Sequence, residues 1–451
     1  MNDLKITKIR IKDNRIICSV SANGKIAEAF KKSPFDFTYV SNIPMKGVPE
    51  SIAVLPALGT LLPLSWLFDA SLDVDELDAD FLSAIPQIKQ GYMNMYPSIE
   101  FKGTLDVLRP VENVLPDAKG TMSLFSGGLD SHDTVLRHAD EKPALLIYRG
   151  ADISIKKRDE QGWEEILRQV DELASALGSE RISVETNMRD AMNYRFLNKW
   201  TSGIDSAYGT YWYNFQHGLA LTLHAAPVAW QKKYAAVYIA SSYTQDDEGK
   251  TTCASDPSID NCVHFFGTRI IHDGYEYTRN AKLDNVAAWV RKNNHGVFLR
   301  VCHSRPKVKG GGVQKNGRNC CACEKCYRTI LGLYAIKEDP ANYGFDYGDD
   351  FDAFGEEIRD HAFRMIRMFN LRYLPIIKKL RENYTRDEVS KGLLWLYDFK
   401  LDENSELFKW IDKRVVIEHE KAMAADIQYR KLKYQTEKQG IIGKVIGKLH
   451  K

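Results

Sequence analysis

The sequence predicts an α/β protein, with a parallel sheet covered by helices, a small β-rich region before it and a helical region after it. Three observations carry this prediction. From Thr121 onward, short apolar runs alternate with amphipathic helical patterns. A glycine turn, Ser126-Gly127-Gly128-Leu129-Asp130-Ser131, separates the first apolar run from the first helix. Five of the eight cysteines (Cys302, Cys320, Cys321, Cys323 and Cys326) crowd the end of the alternating region.

Taken in order, Leu4–Ala29 alternates apolar and polar residues around the turn signals Asp13-Asn14 and Asn23-Gly24, the pattern of a small β-meander. Helical or irregular chain is expected over Ser51–Gln90, then a strand-like piece at Ser98–Leu105. Pro110–Gly120, with two prolines and a glycine, reads as a linker, so residues 1–118 form a candidate first domain. The alternating region supplies strands at Met122–Phe125, Ala144–Tyr148, Ile182–Glu185 and Ala235–Ala240. Helices are expected from near Asp133, at Gly162–Leu177 and over Tyr211–Ala225. This second domain spans 119–340 and includes the cysteine cluster. Helical patterns at Tyr327–Ile336, Glu356–Phe369, Glu388–Tyr397 and Lys413–Tyr434 follow, with 341–451 as a helical region ending in the basic, amphipathic Lys438–Lys451. In such sheets ligands bind beyond the carboxyl ends of the strands. Ser126–Ser131, Tyr148-Arg149-Gly150 and Ser241-Ser242 are therefore expected on one rim.

The composition, 44% apolar and 27% charged over 451 residues, is that of a globular protein rather than a disordered one. A net charge of +2 argues neither for nor against a nucleic-acid partner. Met1–Lys12 is mixed and charged, unlike a secretory leader, so a cytoplasmic location is the expectation. The longest apolar run, Ser51–Phe68, is interrupted by Pro56, Gly59 and Pro63, which favours a buried, irregular core segment over a membrane span.

The glycine turn has the composition of an anion cradle. Two adjacent glycines let successive N–H groups point one way, and the Ser126 and Ser131 hydroxyls and a helix N-terminus add to the field. Neither the lysine of GxxxxGK[ST] nor the spacing of GxGxxG is present, which argues against a γ-phosphate cradle and a dinucleotide fingerprint. Downstream, Cys320-x-x-Cys323-x-x-Cys326 with the earlier Cys302 makes a four-thiolate set suited to structural Zn²⁺, ahead of buried free cysteines or an iron–sulfur cluster. Cys321 points away from its neighbours and is left out.

The hexapeptide resembles the pyrophosphate loop of the N-type ATP pyrophosphatases, the PP-loop family, whose domain is HUP-like. In that family ATP is split between its α- and β-phosphates and an adenylyl group passes to the substrate. The resemblance implies that Ser126, Gly127, Gly128, Leu129, Asp130 and Ser131 hold ATP, with Asp130 orienting the loop or helping to bind Mg²⁺. It places Tyr148 and Arg149 near the adenine or ribose. The cysteine pattern followed by Arg328 is similar to that of the 7-cyano-7-deazaguanine synthases (the QueC-like branch). By the same resemblance Arg279 and Lys282 face phosphates, with Asp130, Ser131 and Lys282 as catalytic candidates. The similarity covers Thr121–Ala335, and there are departures. Cys321 replaces a glycine, the second strand ends in Tyr148-Arg149-Gly150, and the flanking regions are long. Asp246, Asp247, Asp256 and Asp260 lie where base-recognition residues are expected.

The expected function is an ATP-dependent ligase that activates a carboxylate, such as that of a 7-deazaguanine, for attack by ammonia or an amine. The added regions suggest a larger acceptor, a protein or polymer, as in relatives from bacterial antiviral defence clusters. The alternatives are a 7-cyano-7-deazaguanine synthase proper, a tRNA-modifying PP-loop enzyme using Cys253 and Cys262, and a non-catalytic nucleotide-binding protein.

Overall fold

The computed structural model describes residues 2–247, 252–302, 316–348, 350–364 and 369–399. The expected helix over Lys413–Tyr434 and the basic tail Lys438–Lys451 lie outside these residues.

The chain opens with β1 (Asp3–Lys12), β2 (Arg15–Asn23) and β3 (Phe35–Ser41), an antiparallel meander turning at Asp13-Asn14 as its alternation predicts. The apolar run then forms α1 (Glu50–Ala53) and α2 (Leu55–Phe68), every residue of α2 being buried. It is helical where an irregular segment was expected. Pro56 falls in the first turn, where no N–H is needed, and Pro63 costs only one bond inside a helix that is apolar all round. No helix among the described residues is long and apolar enough to cross a membrane. Next come β4 (Ser71–Asp78), a strand within the stretch expected to be helical or irregular, α3 (Ala79–Met95) and β5 (Thr104–Val111). β5 lies later than the expected Ser98–Leu105 and reaches into the expected linker.

The alternating region gives β6 (Thr121–Leu124), α4 (Leu129–Arg137), β7 (Ala144–Arg149), α5 (Glu160–Leu177), β8 (Arg181–Thr186) and α6 (Tyr194–Ile204). A π-helical turn (Trp212–Gln216) runs into α7 (His217–His224), followed by α8 (Ala226–Lys232) and β9 (Ala236–Ala240). After α9 (Pro257–Asp260), β10 (His264–Phe265) and β11 (Thr268–Asp273) come α10 (Arg279–Asn293) and α11 (Glu324–Ala335).

The eleven strands among the described residues join one mostly parallel sheet, ordered β10-β11-β9-β6-β7-β8-β3-β2-β1-β4-β5. Its central run β11-β9-β6-β7-β8 is parallel throughout. There the chain moves outward one way through β7 and β8, then returns to the other side of β6 for β9 and β11. The carboxyl ends of β6 and β9 therefore flank the point where the winding reverses, the place such sheets offer a ligand. Residues 1–118 were expected to be a domain of their own. Here β3 pairs antiparallel with β8, so their strands continue the same sheet. Met1–Cys326 with Glu338–Asp346 form one compact unit.

The second unit comprises Tyr327–Lys337 and residues from Tyr347 on. It contains α12 (Phe351–Arg364), α13 (Phe369–Asn383) and, in place of a continuous helix over Glu388–Tyr397, two short turns and α14 (Leu394–Tyr397).

Candidate nucleotide site and metal centre

The turn after β6 is built by local chemistry. Gly127 has φ +75°, a conformation side chains resist, and it swings the chain from strand into α4. The Ser126 hydroxyl accepts from the Gly128 N–H (3.2 Å) and lies 3.2 Å from the Ser131 hydroxyl. Ser131 Oγ donates to the Gly128 carbonyl (3.1 Å), and His132 Nδ1 lies 2.9 Å from the same oxygen. Burial pulls the His132 pKa down to about 4, so its imidazole is neutral and donates that bond. These bonds fix the loop before any ligand arrives.

Two cations bear on the turn. Lys282, buried in the first turn of α10, donates to the Ser241 carbonyl (2.5 Å) and lies 3.4 Å from Asp130 Oδ1. This ties together the ends of β6 and β9 and joins two of the residues singled out from the sequence. Arg300 donates from its guanidinium to the Ser126 carbonyl, and its backbone N–H donates to the Gly127 carbonyl (2.6 Å). Burial lowers the Arg300 pKa to about 10, with Asp152 pulling the other way, which leaves it charged at neutral pH.

A cavity of about 360 Å³ opens from this turn. Ser126, Gly128, Leu129, Asp130, Ser131, Tyr148, Ser242 and Arg279 line it, so most of the expected rim is gathered in one place. Gly127 shapes the turn without appearing in the lining, and Lys282 stands behind Asp130. Tyr148 presents its ring, while its hydroxyl is taken up by the Leu221 carbonyl (3.0 Å). Arg149 does not line the cavity. It is buried, its guanidinium held by Glu185 (3.1 Å), Glu160 (2.7 Å) and the Ser154 carbonyl (3.1 Å), because neighbouring strand residues face opposite ways.

Arg300, Lys325, Asp152, Tyr213 and His217 also line the cavity and were not anticipated. Three cations, Arg279, Arg300 and Lys325, face two carboxylates, Asp130 and Asp152, a balance suited to a polyanion. Arg300 carried one weak signal, a cation two residues before Cys302. Lys325 falls between Cys323 and Cys326 of the cysteine motif, while Asp152, Tyr213 and His217 lie in no motif. Of the four aspartates expected to recognise a base, Asp256 caps α9 and Asp260 pairs with His272 (2.8 Å). Burial pushes the Cys253 thiol up to about 11 and raises Cys262 too, the reverse of what a reactive thiolate needs.

Cys302, Cys320, Cys323 and Cys326 converge, their sulfurs all within 4.8 Å of one another. Individual separations of 3.5 and 3.9 Å fit the edge of about 3.8 Å expected when four sulfurs surround Zn²⁺ tetrahedrally. The cluster could hold a metal such as zinc, and four thiolates leave no open position for a substrate. Asn319 secures the approach. Its Oδ1 accepts from the Val301 and Cys302 N–H groups (3.2 and 3.3 Å) and its amide donates to the Leu299 and Gly344 carbonyls (2.9 and 3.0 Å). Cys321 takes a left-handed turn (φ +49°) outside the ligand set. Arg300, Val301 and Cys302 line the cavity, so a metal held by the cysteines would brace one of its walls.

No protein-family model, curated protein or solved structure matches the chain.

Proposed function

We propose that the chain is an ATP-dependent, zinc-bearing ligase of PP-loop type that adenylates a carboxylate and passes the acyl group to ammonia or an amine. The observation that supports this most is the glycine turn, pre-bonded and backed by Lys282 and Arg300, at the mouth of a cavity large enough for a nucleotide. A carboxylate cannot expel oxide at neutral pH. ATP, when bound, supplies the adenylyl group that turns that oxygen into a leaving group, and pyrophosphate departs.

The chain's own residues hold and neutralise the anions. Backbone N–H groups of the turn, the Ser126 and Ser131 hydroxyls and the Arg300 guanidinium receive the phosphates, stabilising charge that grows as pyrophosphate leaves. Asp130, beside Lys282, is the carboxylate that would help hold Mg²⁺, which would in turn neutralise phosphate charge. The Cys302–Cys326 cluster holds Zn²⁺ as a brace, and the chemistry is left to the loop. A 7-deazaguanine carboxylate is the proposed substrate, on the resemblance already described, with an amine on a protein or polymer as the larger acceptor.

The test is incubation with ATP, 7-carboxy-7-deazaguanine and ammonia or simple amines, followed by mass spectrometry of nucleotide and adduct. AMP, pyrophosphate and an amide are expected. Formation of ADP, or no carboxylate-dependent exchange of pyrophosphate into ATP, overturns the reading.

A further inference from the structure

One wall of the cavity is made by the π-helical turn and the start of α7, a segment with no part in the glycine turn. A π-helical turn inside helical chain costs good hydrogen-bond geometry and recurs at functional sites. Here Trp212–Gln216 brings Tyr213 and His217 to the cavity. Tyr213 and Tyr243, both cavity-lining, are among the few large apolar side chains left exposed, at 43% and 37%.

His217 sits between two rings, 5.3 Å from that of Trp212 and 5.7 Å from that of Tyr213. Arg189 covers Trp212, its guanidinium carbon 4.5 Å from the ring centroid. The His217 Nδ1 is buried and has no hydrogen-bond partner among the described residues. An unbonded imidazole nitrogen in a cavity-lining side chain is a group that a bound molecule can satisfy.

Burial pulls the His217 pKa below its ordinary value. The charged groups acting on it are Asp152 after β7, Asp260 on α9 and Arg189 after β8; the two carboxylates oppose the fall and the arginine adds to it. The ring is neutral at physiological pH and retains a lone pair for a proton.

We propose that His217 is the proton acceptor for the amine that attacks the activated carboxylate, making this wall the seat of the second half-reaction. The inference rests on the adenylation reading above. In the step, the amine nitrogen forms a bond to the acyl carbon. The bond from that carbon to the AMP oxygen breaks, AMP leaves with the electron pair, and the proton shed by nitrogen passes to the imidazole. No oxidant or further reactant is needed. Tyr213 and Tyr243 border the side from which the amine enters.

The experiment compares His217→Gln with the unsubstituted full chain in two assays. Pyrophosphate exchange into ATP with 7-carboxy-7-deazaguanine reads the first half-reaction. AMP release with ammonium chloride, and separately with hydroxylamine, reads the second. Ammonia-dependent AMP release is expected to fall about 100-fold or more, the range for losing a general base, with the loss in kcat and a flattened pH profile. Exchange should fall less than about fivefold, and hydroxylamine, unprotonated at neutral pH and intrinsically more nucleophilic, should recover much of the lost rate. Exchange and ammonia-dependent release falling together, or an ammonia step as fast as in the unsubstituted protein, overturns the role of His217. Absence of exchange in the unsubstituted protein overturns the adenylation reading and, with it, this inference.

Discussion

At the scale of single residues, the site depends on a few groups whose partners are already fixed. Asp130 faces the cavity and, among the described residues, is held by Lys282 alone, at 3.4 Å, so its removal should damage chemistry more than folding. Asp130→Ala is expected to reduce carboxylate-dependent pyrophosphate exchange about 100-fold or more, while the melting temperature stays within a few degrees. Equal loss of stability and exchange would instead mark it as structural. Arg300 gives a graded case. It holds the Ser126 carbonyl and remains available to a phosphate, and charge-assisted bonds contribute about 1.5–3 kcal/mol. Arg300→Met should therefore weaken ATP binding about 10- to 100-fold, as titration calorimetry would read. Unchanged affinity would show that the guanidinium serves the loop alone.

At the scale of elements, the site is made by the ends of strands and the turns that leave them. At the end of β7, Gly150 has φ +106°, and a Cβ there would overlap the Thr186 carbonyl at the end of β8. Gly150→Ala combines backbone strain with a clash and should cost about 3 kcal/mol in denaturant unfolding. The cysteine brace works in the same way on the chain before α11. Purified protein should carry one zinc per chain, and chelation or Cys323→Ser should lower the melting temperature and raise ATP Kd, since Arg300 lies two residues from Cys302. These elements differ in how plainly the sequence announces them. β6 and β7 are legible as short, continuous apolar runs, α5 and β8 by their own periods, and the cysteines because their spacing is rigid. β4 is not, although Leu72 and Val74 alternate inward, because its partners β1 and β5 are distant in sequence and acidic residues fill its other positions. α4 starts at Leu129, ahead of the expected Asp133, because the glycine turn hands directly into it. His217 could not be read at all and Arg300 only as a cation near Cys302, since only the folded chain sets them beside the glycine turn and its cavity.

At the scale of the whole unit, residues 1–118 acquire a purpose that no motif in them suggested. They hold the wall bearing His217. Gly59 of α2 lets the backbone of α7 approach at Leu219-Ala220, where any Cβ would collide. The Gln216 amide donates to Thr60 Oγ1 (2.9 Å), and the Tyr92 and Tyr96 hydroxyls donate to the Phe215 and Asn214 carbonyls. Beneath the same wall, His224 at the end of α7 lies 2.7 Å from the Ala220 carbonyl and 3.1 Å from the Thr186 hydroxyl, while Tyr39 of β3 donates to the His224 carbonyl. Burial depresses both His224 and His132 to about 4, against 6.5 for an exposed imidazole. Between these values the unfolded chain takes up protons that the folded chain refuses. Stability must therefore fall as pH drops from 6.5 towards 4 and gain no further loss from these groups below that. The two together contribute on the order of a few kcal/mol. His138, whose pKa is raised chiefly by its bond to Asp273, acts in the opposite sense, its contribution fading as pH rises. Asp273 itself, held near 2 with bonds from His138 and Arg137 outweighing its burial, stabilises down to the usual carboxylate range and loses that effect only below it. Urea unfolding should thus show a decline between pH 6.5 and 4.5 of a few kcal/mol, and His224→Gln, though less stable at pH 7, should show a shallower one. A flat profile over that interval, or an equal slope in the variant, would mean that the imidazole under the cavity wall is charged and bonded differently from the arrangement described.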